Sequence, residues 1–225
     1  MKEKFFIKLK LLKFKIKQKL GFDKKIFIIG RNKTGTTSIE KCLRDLGYLT
    51  GDQKKAEMFI DDYAKGYFDN ILAYCDSAEV FQDAPFSWPG TYKKIFSKYP
   101  NAYYILLERD SSEERYVSLV RFHRKIINKG NPVTADDLKN FVYWRKGYLW
   151  QVAQVVYGVK ESNVYDKDVY INNYEVYNKE VREFFGDSPN FLAIKLTEEN
   201  VEEKLAKFLK KNKNQIKIPH LNKSK

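Results

Sequence analysis

The sequence predicts an α/β fold: a three-layer sandwich with a mostly parallel central sheet, plus C-terminal helices. Three observations carry this. Four short apolar runs, Ile26–Ile29, 78–82, Tyr103–Leu107 and Phe191–Lys195, are separated by stretches with helical spacing. The first of these runs is apolar throughout rather than alternating, as in strands covered on both faces. No internal repeat and no Pro/Gly/Ser-rich linker divides the chain, so one domain at 25–225 follows a basic amphipathic segment at 1–24.

Taken in order, Ile26-Phe27-Ile28-Ile29 ends at Gly30, and a loop of five residues leads into Thr36-Thr37-Ser38, which opens a helix. Ile39, Cys42, Leu43 and Leu46 recur at helical spacing, and Gly47 ends that helix. Residues 53–76 read as helical with mixed charge, and the strand at 78–82 ends in Asp83-Ala84-Pro85. A short helix is predicted over 91–99, a strand over 103–107 ending in Glu108-Arg109-Asp110, and a helix over 112–128. Gly130-Asn131-Pro132 breaks the chain, and Thr134-x-x-Asp137 has the pattern that caps a helix. One aromatic-rich helix is predicted over 135–157, another helix over 172–185, and a last helix over 198–211 capped by Thr197.

The chain has 225 residues, 43% of them hydrophobic and 16% aromatic, enough for a sizeable core and too many for a disordered chain. Its net charge of +13 suggests a polyanion or membrane partner, but the charge is not spread over the body. Residues 1–25 carry ten Lys against two acidic residues and residues 201–225 eight Lys against two, which leaves the stretch between them at −1. No specific nucleic-acid partner is therefore expected. The segment 1–20 interleaves Lys with Phe, Ile and Leu; it either lies on an anionic membrane surface or packs as an extra helix with a solvated Lys face. Lys interrupts every apolar stretch there, so neither a signal peptide nor a span of about 20 residues is predicted, and a cytoplasmic location, peripheral to the membrane if that segment binds one, is expected. Cys42 and Cys75 read as buried thiols, and two histidines make a His-based metal site improbable.

The chemistry is concentrated at 30–38. Gly30-x-x-x-x-Gly35-Thr36-Thr37 has the skeleton of a phosphate-binding loop: glycine allows a tight turn and close backbone approach, and the helix start then aims free N–H groups and a positive dipole end at an anion. The nucleotide-triphosphatase pattern has Lys after the second glycine, whereas here Thr36 stands there and the loop lysine is Lys33.

Lys33-Thr34-Gly35-Thr36-Thr37-Ser38 resembles the 5′-phosphosulfate loop of sulfotransferases that use PAPS (3′-phosphoadenosine 5′-phosphosulfate), a family with the P-loop kinase-like fold. Three further stretches match in order. Asp83-Ala84-Pro85 is similar to the position of the family's catalytic base. Arg109-Asp110, followed by Ser118, resembles its 3′-phosphate element. Pro219-His220-Leu221-Asn222-Lys223-Ser224 looks like the tail of bacterial-type members. The resemblance implies PAPS as donor and no metal, with Arg31, Lys33, Thr34, Gly35, Thr36, Thr37, Ser38, Arg109 and Ser118 binding it. Lys33 and the loop amides would stabilise the leaving phosphate, and Asp83 would be the base in an in-line transfer to a hydroxyl or amine. Ser118 is nine residues after Arg109 where the family has eight, so Ser112 stays an alternative. Phe81, Pro85, Phe86 and Trp88 would supply the apolar surroundings that raise the Asp83 carboxyl toward a useful base. His123 reads as a structural or surface residue, and the aromatic run 141–157 as core.

Two other readings compete. Val80–Asp83 mimics a strand ending in a magnesium-binding Asp, as in a small-molecule kinase. A binding module using the two Lys-rich ends is the non-enzymatic alternative, and it leaves the pattern at 26–118 unexplained. The acceptor class, whether carbohydrate, lipid or small alcohol, is not written in any motif.

Overall fold

The computed structural model describes residues 24–219 and Leu221, together with Leu9, Leu12, Phe14 and Ile16. The strands β1 (Ile26–Ile28), β2 (Val80–Gln82), β3 (Tyr103–Glu108) and β4 (Phe191–Lys195) form one sheet in the order β2-β1-β3-β4. Every pairing is parallel; Ile26 lies opposite both Val80 and Tyr103, and Tyr104 lies opposite Phe191. The helices are α1 (Thr36–Asp45), α2 (Gln53–Glu57), α3 (Ile60–Ala64), α4 (Asp69–Tyr74), α5 (Thr91–Lys98), α6 (Ser112–Ile127), α7 (Ala135–Asn140), α8 (Tyr148–Tyr157), α9 (Lys167–Phe185) and α10 (Val201–Phe208).

The strand pleat sorts the core into two halves. Ile26, Ile28, Ile105 and Leu107 face one side, where Ile39 and Leu43 of α1 and Leu205 of α10 cover them. Phe27, Tyr104 and Leu106 face the other, against Ile95 of α5 and Tyr177, Val181 and Phe185 of α9. Both sides are covered, which is why these runs are apolar without alternation. A third cluster, including Trp88, Leu119, Leu138, Tyr148, Val156 and Tyr170, joins α6, α7, α8 and α9.

The chain goes from β1 to β2 on one side, then returns to place β3 on the other. The loops after β1 and β3 therefore diverge, and a crevice opens at the carboxyl ends of the strands. Gly30 sits at that switch. A Cβ there would lie 2.7 Å from the Leu107 backbone nitrogen and 2.8 Å from its carbonyl oxygen. No side chain fits between β1 and β3 at this point.

Several predicted elements are shorter or broken. The stretch 53–76 is three short helices, α2 to α4, rather than one. The predicted helix 135–157 is interrupted: Phe141 turns extended after α7, and Val142 bridges Lys146 in an antiparallel turn. That turn carries Trp144 to Glu57 and lets Tyr143 stack on Tyr148, contacts a continuous helix would not make. Thr197 caps nothing, because α10 begins after Asn200 and the Thr197 hydroxyl donates to Asp110 at 2.7 Å. The predicted cap at Thr134 is present as a reciprocal capping box with Asp137. The helix predicted at 172–185 starts earlier, at Lys167, where the Asp166 carboxylate caps it.

Most of the basic N-terminal segment lies outside the described residues. Leu9, Leu12, Phe14 and Ile16 are helical; Phe14 is buried, with the Lys25 ammonium 5.1 Å from its ring centre, and the other three are exposed. Among the described residues, no helix is long and apolar enough to cross a membrane. Cys42 and Cys75 are both buried and free.

The fit at Gly30 gives a direct test. Gly30→Ala should lower stability by about 1–3 kcal/mol through overpacking against β3. A urea midpoint unchanged from wild type would show that the two strands can part there.

Candidate active site

A cavity of about 980 Å³ occupies the crevice, and its lining runs from the loop after β1 to α6, α8 and the start of α10. The loop is shaped by its own residues. The Thr34 hydroxyl donates to the Arg31 carbonyl at 2.6 Å, closing the turn. Gly35, at φ 101°, turns the chain into α1 in a conformation that L side chains rarely adopt. No side chain caps α1, and the Thr36 and Thr37 amides find no acceptor among the described residues. These amides and the helix dipole make a ready anion site.

Lys33 lines the cavity, with its ammonium 4.2 Å from the centre of the Phe122 ring. Burial lowers its pKa and nearby Arg109 lowers it further, while Asp83 opposes both. Arg109 comes from the end of β3. Its Nε donates to the Lys33 carbonyl at 3.0 Å, and the Tyr174 hydroxyl accepts its backbone N–H at 2.9 Å. The terminal nitrogens of Arg109 find no partner among the described residues. Ser118, from α6, is buried and lines the cavity with a hydroxyl that has no hydrogen-bond partner among the described residues. Ser112, the alternative, donates instead to Glu175 at 2.6 Å, so its hydroxyl is engaged.

Arg31 has a different surrounding from the rest of the loop. It is buried, and its amino groups donate to the Ser87 carbonyl at 2.9 Å and to Asn173 at 2.8 Å. It borders the cavity with both amino groups engaged, while its Nε has no hydrogen-bond partner among the described residues. The Ser38 hydroxyl accepts the Leu221 amide at 3.3 Å, which brings the C-terminal segment over the loop; His220 and 222–225 lie outside the described residues.

Asp83 lies just past β2 at φ 52° and accepts from Ser87 at 3.2 Å. Burial raises its pKa, and Ser87, Arg31 and Arg115 hold the rise in check. The structure brings the predicted residues Lys33, Asp83, Arg109 and Ser118 to one cavity.

Sequence reasoning missed four participants. Arg115 is wholly buried on α6 and grips the loop: its Nε donates to the Asn32 carbonyl at 3.3 Å, and one amino group donates to the Asn32 side chain and to the Tyr157 hydroxyl. Glu57, at the end of α2, is buried and lines the cavity; Gln53 donates to it at 3.3 Å, and so does Trp144 Nε1. Burial first, then the charge of Asp83, push the Glu57 carboxyl up to about 8. His123 lines the cavity rather than the surface, paired with the Tyr165 hydroxyl at 2.8 Å. Burial and the neighbouring Lys33 and Arg115 lower its pKa to about 3, so it stays neutral. Tyr148, expected in the core, is buried but borders the cavity. The helical spacing of Arg115 and Ser118, three apart, was the available signal for Arg115; Glu57 gave none.

An all-parallel sheet flanked by helices, with a glycine-bounded loop feeding a helix start, defines an α/β protein of the P-loop-like class. The sulfotransferase domain family matches over residues 25–225, and the chain belongs to that family. Its activity class is thus sulfuryl transfer. A comparison with curated proteins found no match.

Glu57 supplies a pH test. Its folded pKa lies above its ordinary value, so the folded state holds a proton the unfolded chain releases; that stabilisation is full below the ordinary pKa of 4.5 and is lost as pH rises through about 8. His123 works in the opposite sense below about 6.5, so the informative quantity is the wild-type minus Glu57→Gln difference in unfolding free energy. That difference should fall between pH 6 and pH 9. A flat or rising difference would remove the proton from Glu57.

Proposed function

We propose that the protein moves a sulfuryl group from PAPS to an acceptor hydroxyl or amine. One observation carries the reading: Lys33, the free ends of Arg109, the open amides of Thr36 and Thr37 and the unpartnered, buried Ser118 hydroxyl all meet at the cavity that also holds Asp83. Unsatisfied buried donors and loose cations fit a ligand with several anionic groups. The loop amides and Lys33 suit the 5′-phosphosulfate end. Arg109 and Ser118 suit the 3′-phosphate, for which a planar guanidinium offers two parallel hydrogen bonds.

When bound, the donor supplies an electrophilic sulfur on a phosphate leaving group. The acceptor oxygen forms the new S–O bond as the S–O bond to phosphate breaks, giving a sulfate ester and adenosine 3′,5′-bisphosphate. Lys33 and the amides of Thr36 and Thr37 would stabilise the negative charge that grows on the departing phosphate. Asp83 takes the acceptor proton, and its burial gives it more basicity than an exposed Asp. Arg115 touches neither reacting group; it positions the loop through Asn32.

Calorimetry with adenosine 3′,5′-bisphosphate in the absence of divalent metal tests the donor assignment. Binding is expected, with Ser118→Ala weakening it about three- to tenfold for one lost hydrogen bond. Tight binding of Mg-ATP without binding of the bisphosphate would favour a kinase and overturn the proposal.

The base assignment has its own signature. With an acceptor that supports turnover, Asp83→Asn should cut kcat by about 10²–10⁴ and leave bisphosphate affinity within about twofold. The acid limb of kcat/KM should rise with pH, as a base requires, at a pKa above the ordinary aspartate value of 3.8. A matching loss of bisphosphate affinity would make Asp83 a structural group instead.

A further inference from the structure

Lysines from the two Lys-rich stretches meet at one end of the sheet. Lys24 and Lys25 lead directly into β1, and Tyr103 opens β3 beside them. The Lys24 ammonium lies 4.6 Å from the centre of the Tyr103 ring. Phe208, at the end of α10, packs on the same ring with centres 4.8 Å apart. That contact brings the exposed Lys207, Lys210 and Lys211 to the amino ends of the strands. The cavity lies at the opposite, carboxyl ends, lined by residues that follow β1, β2 and β3. These lysines therefore sit away from the anion loop.

The N-terminal helix adds an apolar stripe to this end. Leu9, Leu12 and Ile16 are three and four residues apart, which puts them on one helix face, and they are 38%, 56% and 49% exposed. Phe14 lies on the other face and is buried, with the Lys25 ammonium over its ring. Lys25 in turn donates to the Ala78 carbonyl at 3.0 Å, just before β2. The helix is thus fastened to the body by Phe14 and turns a Leu/Ile stripe outward. One exposed Leu is ordinary; a row of three on a helix already anchored by its other face is not.

We propose that this end of the molecule docks on an anionic lipid surface. Leu9, Leu12 and Ile16 enter the boundary between headgroups and acyl chains, and Lys24, Lys207, Lys210 and Lys211 meet the headgroups. The chemistry selects the partner. Residues 1–25 carry ten Lys against two acidic residues. A nucleic acid neutralises lysines but has no use for a Leu/Ile stripe. An apolar protein groove takes the stripe but is depleted of charge at its core. An anionic bilayer takes both. Docking at the amino ends of the strands leaves the anion loop at their carboxyl ends open to water. The inference does not rest on the donor assignment.

Flotation of the full chain with vesicles at about 0.1 M salt tests this. Partition onto phosphatidylcholine vesicles containing about one third phosphatidylserine should exceed that onto pure phosphatidylcholine at least about tenfold. Leu12→Gln with Ile16→Gln, which changes no charge, should weaken the anionic partition at least about tenfold. Lys207→Gln, Lys210→Gln and Lys211→Gln together should do the same. The unfolding midpoints of both variants should match wild type, and the wild-type comparison of the two vesicles needs no variant to fold. Equal partition onto neutral and anionic vesicles, or anionic partition untouched by the Leu12 and Ile16 pair, would overturn the proposal. So would a dimer in lipid-free solution that the same pair dissolves, because a second copy then covers the stripe. Adenosine 3′,5′-bisphosphate should bind vesicle-bound and lipid-free protein within about twofold. Binding lost only on vesicles would overturn the placement of the docking face opposite the cavity. If the bisphosphate binds neither form, the donor reading falls on its own, and the vesicle comparisons still decide the docking.

Discussion

Two wholly buried guanidinium groups without a carboxylate partner organise this molecule. Arg31 and Arg115 are 1% and 0% exposed, and among the described residues neither makes a salt bridge. Removing an ion from water costs several kcal/mol even after relaxation. Carbonyl oxygens and aromatic faces offset that cost here. Tyr157 lies between the two, its ring centre 4.6 Å from Arg31 and 5.4 Å from Arg115, and its hydroxyl bonds both Arg115 and Asn32. Tyr177 backs Arg31 and Tyr174 backs Arg115. The anion loop, α6, α8 and α9 are thus held together through two cations. Each still has a buried N–H without a partner among the described residues, Nε of Arg31 and one amino group of Arg115. The carboxyl group whose pKa both guanidinium groups lower is that of the buried Asp83, which neither of them bonds directly among the described residues.

The sheet order decides where that charge is used. Because β1 lies between β2 and β3, the loop after β1, the Asp83 turn after β2 and Arg109 after β3 share one rim. Arg109 is then close enough for its Nε to hold the Lys33 carbonyl. The backbone at Gly30 runs against Leu107 with no room for a side chain, so the loop leaves β1 in direct contact with β3. The rim carries opposite characters on its two sides, cationic around the loop and carboxylate–tyrosine beyond Asp83. A transfer reaction needs this polarity: one side stabilises the charge that leaves, the other takes up the proton.

The parts legible in the sequence were those fixed by short segments. The strands were readable because each is covered on both faces and so is continuously apolar. Lys33, Gly35 and the helix start were readable because a strand–loop–helix anion site is built from neighbours in the chain. Asp83, Arg109 and Ser118 followed from their order relative to that loop. What stayed hidden depends on distant pairs. Glu57 looks like one more acid on a mixed-charge helix until Trp144, 87 residues later, donates to it. The aromatic run 141–157 reads as a helix by periodicity, yet its turn at 141–147 is set by that same contact. His123 is ordinary in sequence and becomes a cavity residue only because α6 packs its face onto the loop.

His123 also fixes how the site responds to pH. It sits beside Lys33 and Arg115, bonds Tyr165, and is driven to a pKa near 3, so it adds no charge to the cationic side under physiological conditions. Tyr143 and Tyr148, pushed up by burial and by the charges of Glu57 and Asp83, remain neutral hydrogen-bonding groups. Glu57, pushed up to about 8, is the cavity carboxyl that changes charge between mildly acidic and mildly alkaline pH. On the loop side burial and Arg109 lower the pKa of Lys33, and on the far wall burial raises those of Glu57 and Asp83: in each case burial disfavours the charged form.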